Sequence, residues 1–345
     1  MRTVAAVLVE LDHPLELAEL EIPALKPGQV LVELAFSGVC HTQLLEARGR
    51  RGADPFLPHC LGHEGSGRVL ELGAGVTKVK AGDEVVLSWI KGSGADVSGS
   101  VYDWAGQKVN AGAITTFGNH AVISENRLTR VEPGLPLREA ALVGCAVATG
   151  AGSVFNTAGA RPGQSIAIFG AGGVGLCAIA AAHAAGCTPI IAVDVLASKL
   201  EVARAVGADL MINASQTDPV AAIKAAVPGG VDLAIEASGR PSVMAWALES
   251  VRAQGGSAVI VGNAPTGQTL TLDPKQLNLG KRLLGTWGGD SRPDTDYPRY
   301  SRLIMSGRID MAPLLCKSYR LEEINLALHE LEAGLVSRPL VDFTN

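Results

Sequence analysis

Residues 165–287 alternate short apolar runs with longer Ala-rich ones, and that rhythm limits the possible folds more than any other feature. Residues 165–169 read as an apolar strand, 173–185 as a helix, 189–193 as a second strand and 198–206 as a second helix. Residues 211–213, 231–236, 257–261 and 282–287 complete a six-strand set. Alternating β and α units imply a parallel sheet covered on both faces, the doubly wound α/β class. At the first strand–helix junction stands Gly170-Ala-Gly-Gly-Val-Gly175, a G-x-G-x-x-G run that includes Gly172, Gly173 and Val174. Its first glycine permits a tight turn, its second lets backbone approach a pyrophosphate, and its third lets helix pack on strand. The helix N-terminus then offers N–H groups to phosphate. Asp194 ends the next strand, where a carboxylate meets the adenosine ribose and repels a 2′-phosphate, so NAD is expected rather than NADP. Lys199 is a candidate second ribose contact.

The 345 residues suffice for two domains. Hydrophobic residues make up 47%, aromatics 4%, and there are 41 glycines, a composition that excludes a disordered chain and disfavours a β-sandwich. A net charge of −5 gives no reason to expect a nucleic-acid partner. Two stretches, 140–160 and 162–193, contain no Asp, Glu, Lys or Arg. Gly, Ser, Thr, His and Pro189 interrupt them, so buried parallel strands are expected rather than membrane spans. Glu10, Asp12 and Glu16 fall where a signal peptide has its apolar core, so a soluble, cytoplasmic protein with no membrane partner is expected. The six cysteines are scattered and form no disulfide framework.

The first 145 or so residues read as short strands and turns: 4–9, 29–36, 65–72 and 83–89, with a Gly/Ser-rich extended loop over 91–112. From about Gly288 the chain is expected to return to this first domain through a helix over 321–331 and a strand over 340–343.

Cys40, His63 and Cys145 have the composition of a catalytic zinc site, which keeps three protein ligands and one open position. A Lewis acid beside a nicotinamide is what hydride transfer at an alcohol carbon requires. Taken singly, Cys40 and Cys145 read as buried thiols. The segments Gly38-Val-Cys-His-Thr42, Gly62-His63-Glu64 and Gly144-Cys145 together resemble the zinc-dependent medium-chain alcohol dehydrogenases, over nearly the whole chain. The resemblance implies a mostly β, GroES-like catalytic domain (1–147 plus 288–345), a Rossmann domain (148–287), and an active site in the cleft. It implies a zinc-dependent oxidoreductase acting between NAD(H) and a small-molecule alcohol or aldehyde, as a homodimer or homotetramer. It also implies that Thr42 accepts the substrate proton, that His41 and Arg338 reach the pyrophosphate, and that Thr149 packs on the nicotinamide. The backbone of Val261-Gly262-Asn263 is implied to meet the carboxamide, and Trp89 and Phe117 to wall the substrate pocket. For Glu64 two readings stand, a transient zinc ligand and a buried ion-pair residue.

The chain departs from the family in two places. Many relatives hold a second, structural zinc with four closely spaced cysteines, but no cysteine lies between Cys60 and Cys145, so one zinc per chain is expected. Leu45 stands where relatives place a relay histidine, and Gln43 replaces an acidic partner of the metal site. His59 and Cys60 read as packing residues that add no second metal site. Lys91 is either a solvated loop lysine or a contact for an anionic or sugar-like substrate. Two other functions fit the same residues less well. A polyol or sugar-derivative dehydrogenase usually has glutamate at the Cys145 position, and a non-catalytic NAD-binding redox sensor has no use for the zinc ligands.

Overall fold

Short, mostly antiparallel strands set the architecture of the first 145 residues. They are β1 Arg2–Leu8, β2 Glu16–Glu21, β3 Gln29–Gly38, β4 His59–Cys60, β5 Glu64–Leu72, β6 Glu84–Ser88, β7 Val101–Trp104, β8 Gln107–Asn110, β9 His120–Ser124 and β10 Leu128–Arg130. Helix α1 (His41–Ala47) follows β3, and α2 (Leu137–Leu142) follows β10. Strands β1-β2-β7-β8-β4 close a barrel; a second sheet runs β10-β6-β5-β3, with β9 also pairing β3. Val7, Leu20, Leu31, Tyr102 and Val109 fill the barrel, each such side chain contributing about 1.5–3 kcal/mol by leaving water. The computed structural model describes residues 1–315 and 317–344 of the chain.

The Gly/Ser-rich stretch 91–112 is not one extended loop, because β7 and β8 form a hairpin within it. Ala105 and Gly106 both take positive φ, 51° and 92°, as a two-residue hairpin turn requires. Buried Tyr102 and Val109 anchor the pair, a weak apolar signal that the surrounding glycines and serines mask. Ahead of the hairpin, the carboxylate of Glu125 accepts the N–H groups of Thr77 (2.6 Å), Lys78 (2.6 Å) and Ala95 (2.8 Å). The side chain of Gln29 donates to the Ser98 carbonyl and to Ser100 Oγ. Polar side chains thus tether the segment that leads into the hairpin.

The second unit confirms the βα rhythm. Strands β11 Ile166–Phe169, β12 Ile190–Asp194, β13 Leu210–Asn213, β14 Leu233–Glu236, β15 Ser257–Ile260 and β16 Arg282–Gly285 pair in the order β13-β12-β11-β14-β15-β16, all parallel. Helices α3 Gly173–Ala184, α4 Ala197–Ala205, α5 Pro219–Ala226 and α6 Pro241–Ser250 alternate with them. Helix α5 carried a readable start signal, since Asp218 caps Val220 and Ala221 ahead of Pro219.

Of the two charge-free stretches, 140–160 is not a strand. It lies mostly in a helical run, Leu137–Thr157, long and apolar enough to cross a membrane, with 78% of its apolar window buried in the protein. A helix buried all round shows no 3.6-residue period, so periodicity could not separate it from a buried strand. The other stretch, 162–193, holds β11, α3 and β12.

The chain divides into Met1–Cys145 with Arg292–Arg302 and Leu315–Asn345, and Ala146–Ser291 with Leu303–Leu314. Residues 146–147, 288–291 and 303–314 therefore group with the second unit, not with the first as expected. After α7 (Pro293–Met305), β17 (Ser318–Tyr319) pairs parallel with β18 (Leu340–Asp342), and β18 pairs antiparallel with β3. Helix α8 (Ile324–Glu332) joins a core that includes Ile324, Leu328, Leu44 and Phe117.

Candidate metal centre and cofactor site

The first unit brings Cys40, His63 and Cys145 together: one ligand atom from each lies within 4.8 Å of the other two. Cys40 is the N-cap of α1, so its position follows from where β3 ends and the helix begins. His63 sits between β4 and β5 behind Gly62, whose φ of +98° favours glycine and where a Cβ would lie 2.4 Å from Thr116 N. Cys145 follows Gly144, whose carbonyl accepts from Ser88 Oγ at 2.7 Å, and Tyr297 Oη meets the same hydroxyl at 2.6 Å. The Ser88–Tyr297 support was not foreseen, and nothing near Tyr297 in the sequence signals it.

The donor set fits a zinc ion. His63 Nε2 is buried without a partner among the described residues, a costly state for a ring nitrogen that a metal bond would relieve. A hydrogen bond from Cys145 draws Cys40 well below the usual thiol range, and Arg338 and His63 help against the opposing effect of burial. The same bond, with burial, holds Cys145 well above it, so the two sulfurs compete for one negative charge. A divalent cation between them would remove that competition.

Glu64 is fully buried, and its carboxylate pairs with Arg338 rather than joining the three converging ligands. Of its two readings the ion pair is the one observed. Ser37 and Thr116 hydroxyls, at 3.1 and 3.0 Å, hold the Glu64 carbonyl in place. Arg338 is only 3% exposed, with its guanidinium turned to Glu64 and Cys40; burial would lower its pKa, but those negative neighbours raise it. Its Nε has no partner among the described residues. Gln43, with its amide oxygen turned inward, accepts from the His63 N–H at 3.1 Å and from the Gly62 N–H. It steadies the backbone of His63, whereas an acidic partner would orient the ring.

Thr42 is half-buried on α1, His41 beside it is exposed, and Leu45 is buried. Trp89 is half-buried and its carbonyl accepts from Arg127. Phe117, expected at the substrate pocket, is 1% exposed and packed in the core with Leu44 and Leu328; an aromatic beside two threonines does not reveal its direction in sequence. Lys91 pairs with Asp96 at 2.6 Å, both about half exposed. A cavity of about 430 Å3 is lined by His63, Gln43, Glu46, His59, Phe56 and Ile114 among others. Glu46, Asp54 and His59 converge beside it, yet both ring nitrogens of His59 are engaged, with Cys60 O and Asp54 Oδ2. His59 therefore acts as a packed, hydrogen-bonded residue.

In the second unit Gly170 takes φ +95°, and a Cβ on Gly175 would lie 1.8 Å from the Gly170 carbonyl oxygen. A Cβ on Gly172 would meet nothing within 4 Å, leaving open space at the N-cap of α3 where a pyrophosphate fits. Val174 lies in the first turn of α3 and Lys199 is half-buried on α4. Asp194 ends β12, its carboxylate accepting the N–H of Ala171 (2.7 Å) and Leu196 (3.0 Å). The N–H groups of Val261 and Gly262 are donated to the Glu236 carbonyl. Thr149 is 9% exposed, and its hydroxyl has no partner among the described residues.

Comparison with known proteins identifies the family. The alcohol dehydrogenase GroES-like domain family matches residues 26–133 and the zinc-binding dehydrogenase family matches 173–306. The S-(hydroxymethyl)glutathione dehydrogenase of Synechocystis sp. is 33% identical, over 99% of this chain and 100% of that protein. Among solved structures, benzyl alcohol dehydrogenase from Acinetobacter calcoaceticus is 32% identical with a TM-score of 0.90, covering 99% of each chain. An alcohol dehydrogenase zinc-binding domain protein from Burkholderia ambifaria is 32% identical with a TM-score of 0.92, covering 100% of each. The chain belongs to the zinc-dependent medium-chain alcohol dehydrogenases, NAD-dependent oxidoreductases of alcohols and aldehydes.

Proposed function

We propose that this enzyme interconverts a primary alcohol, larger and more polar than ethanol, with its aldehyde, using one firmly bound zinc per chain and NAD. The observation that carries the reading is the convergence of Cys40, His63 and Cys145 around a buried His63 Nε2 that lacks a partner. A zinc ion held by these three residues supplies the Lewis acid that makes an alcohol proton labile and polarises an aldehyde carbonyl. Thr42 supplies the hydroxyl that takes the substrate proton, and Leu45 cannot pass it on, so the exposed imidazole of His41 is the nearest titratable relay on α1. Arg338 balances the negative charge of Glu64 and the thiolates, which keeps the centre near neutrality. Arg338 and His41 are the side chains we assign to the pyrophosphate, and Thr149 to the nicotinamide face. Trp89 is assigned to the substrate.

No four-cysteine zinc is expected in the 91–112 segment, where Glu125 and Gln29 already tie the chain down. The outer strand β16, flanked by exposed Leu277 and Leu279, supports assembly into a homodimer or homotetramer through paired sheet edges. The thiols of Cys60 and Cys187, which form no disulfide, suit a reducing, cytoplasmic setting.

The test is NADH oxidation against aliphatic, aromatic, polar and sugar-derived aldehydes, with and without a zinc chelator. Chelator-sensitive turnover with one zinc per chain is the expected result. Chelator-insensitive turnover, or two firmly bound zincs, would overturn the assignment.

A further inference from the structure

Glu236 is a fully buried carboxyl group at the C-terminal end of β14. Its surroundings are those of a clamp. Oε1 accepts the Ser238 N–H (2.8 Å), the Ser238 hydroxyl (2.5 Å) and the Gly239 N–H (3.0 Å). Its main-chain carbonyl accepts the N–H groups of Val261 (2.8 Å) and Gly262 (3.0 Å). Oε2 has no partner among the described residues and lies 2.8 Å from where a Cβ on Gly262 would stand. Gly239 in turn presses on Asn263, 2.4 Å from its own would-be Cβ to the Asn263 carbonyl oxygen. One residue thus couples the loops that leave β14 and β15: its side chain holds Ser238 and Gly239, its main-chain carbonyl holds Val261 and Gly262, and Gly239 packs against Asn263.

The topology says what those loops face. In a doubly wound sheet the ligand lies over the C-terminal ends of the strands, across the point where strand order reverses. Here the reversal falls between β11, which carries the Gly170 turn, and β14. Asp194 on β12 marks the adenosine side, so the other half of a dinucleotide lies over β14 and β15. The Ala237–Ser238 backbone abuts the Gly170 turn, placing Glu236 beside the crossing point.

We propose that Glu236 is a positioning residue for the nicotinamide half of the cofactor, holding the Ser238–Gly239 and 261–263 loops in the register that half needs. The inference rests on the NAD-dependent reading. Burial raises the Glu236 carboxyl above its usual range, and the Ser238 and Gly239 donors only partly offset this. The clamp thus needs an accepting oxygen at Oε1 more than a negative charge, and glutamine should replace it.

The experiment compares the affinity of the whole enzyme for NADH and for ADP-ribose, which lacks the nicotinamide, by fluorescence and calorimetric titration. Glu236→Ala is expected to weaken NADH by roughly tenfold, the worth of one ordered hydrogen-bond site, and leave ADP-ribose within about twofold. Glu236→Gln should bind both as the wild type does. If Glu236→Ala does not fold, Ser238→Ala, which removes one donor onto Oε1, should show the same selective loss at smaller size. Equal weakening of both ligands, or no weakening of NADH, overturns the inference while leaving NAD dependence intact. A wild-type enzyme that binds neither ligand overturns the dinucleotide reading itself, and the inference with it.

Discussion

Replacing Glu125 by alanine should release the segment ahead of the β7–β8 hairpin. The side chain is 2% exposed and its carboxylate accepts three main-chain N–H groups at 2.6, 2.6 and 2.8 Å. Hydrogen bonds to a charged group are each worth about 1.5–3 kcal/mol, and removing their acceptor leaves three part-buried bonds unmade. The three share one acceptor and are not additive, so the expected cost is about 3–5 kcal/mol of local stability. At the lower figure the locally opened form becomes roughly a hundredfold more populated. Trypsin cleavage after Lys91, in the tethered segment, reads that population when reclosing outpaces cutting. Acid gives an independent check. Burial tends to raise the Glu125 carboxyl, but the N–H groups of Ala95, Lys78 and Thr77 outweigh it and hold it below the usual range. A depressed carboxylate stabilises fully above its unfolded value, near 4.3, and the contribution fades as pH falls through the folded value. The wild type should therefore lose its advantage over Glu125→Ala in acid. Cleavage of the variant within about threefold of the wild-type rate at pH 7 would refute the tether.

Other outcomes follow from the same geometry. Cys145→Ser should lower bound zinc well below one per chain by elemental analysis while leaving NADH binding in place; unchanged zinc would remove Cys145 from the ligand set. Thr42→Val should cost about 10²–10⁴-fold in kcat at neutral pH, and full activity would exclude its hydroxyl from proton transfer. Asp194→Ala should narrow the preference for NADH over NADPH, and an unchanged ratio would separate Asp194 from the ribose site. Gly175→Ala puts a methyl 1.8 Å from the Gly170 carbonyl oxygen and should abolish NADH binding, and ordinary affinity would contradict the packing of that turn.

What the sequence determines by itself is whatever is local or periodic. The βα alternation, the glycine turn at Gly170 and Asp194 at the end of β12 are read within one strand–helix–strand unit, where turn chemistry and period leave little choice. The group formed by Cys40, His63 and Cys145 was legible because each sits in a short motif that contains glycine. Tertiary structure alone decided the direction and partner of side chains whose neighbours are far along the chain. Phe117 turned into the core, Glu64 found Arg338 across 274 residues, and Ser88 found Tyr297 across 209. The charge-free 140–160 stretch became mostly helix, since burial on every side erases the period that tells helix from strand. A buried polar atom must find its partner wherever the fold supplies one, and sequence distance carries no record of that.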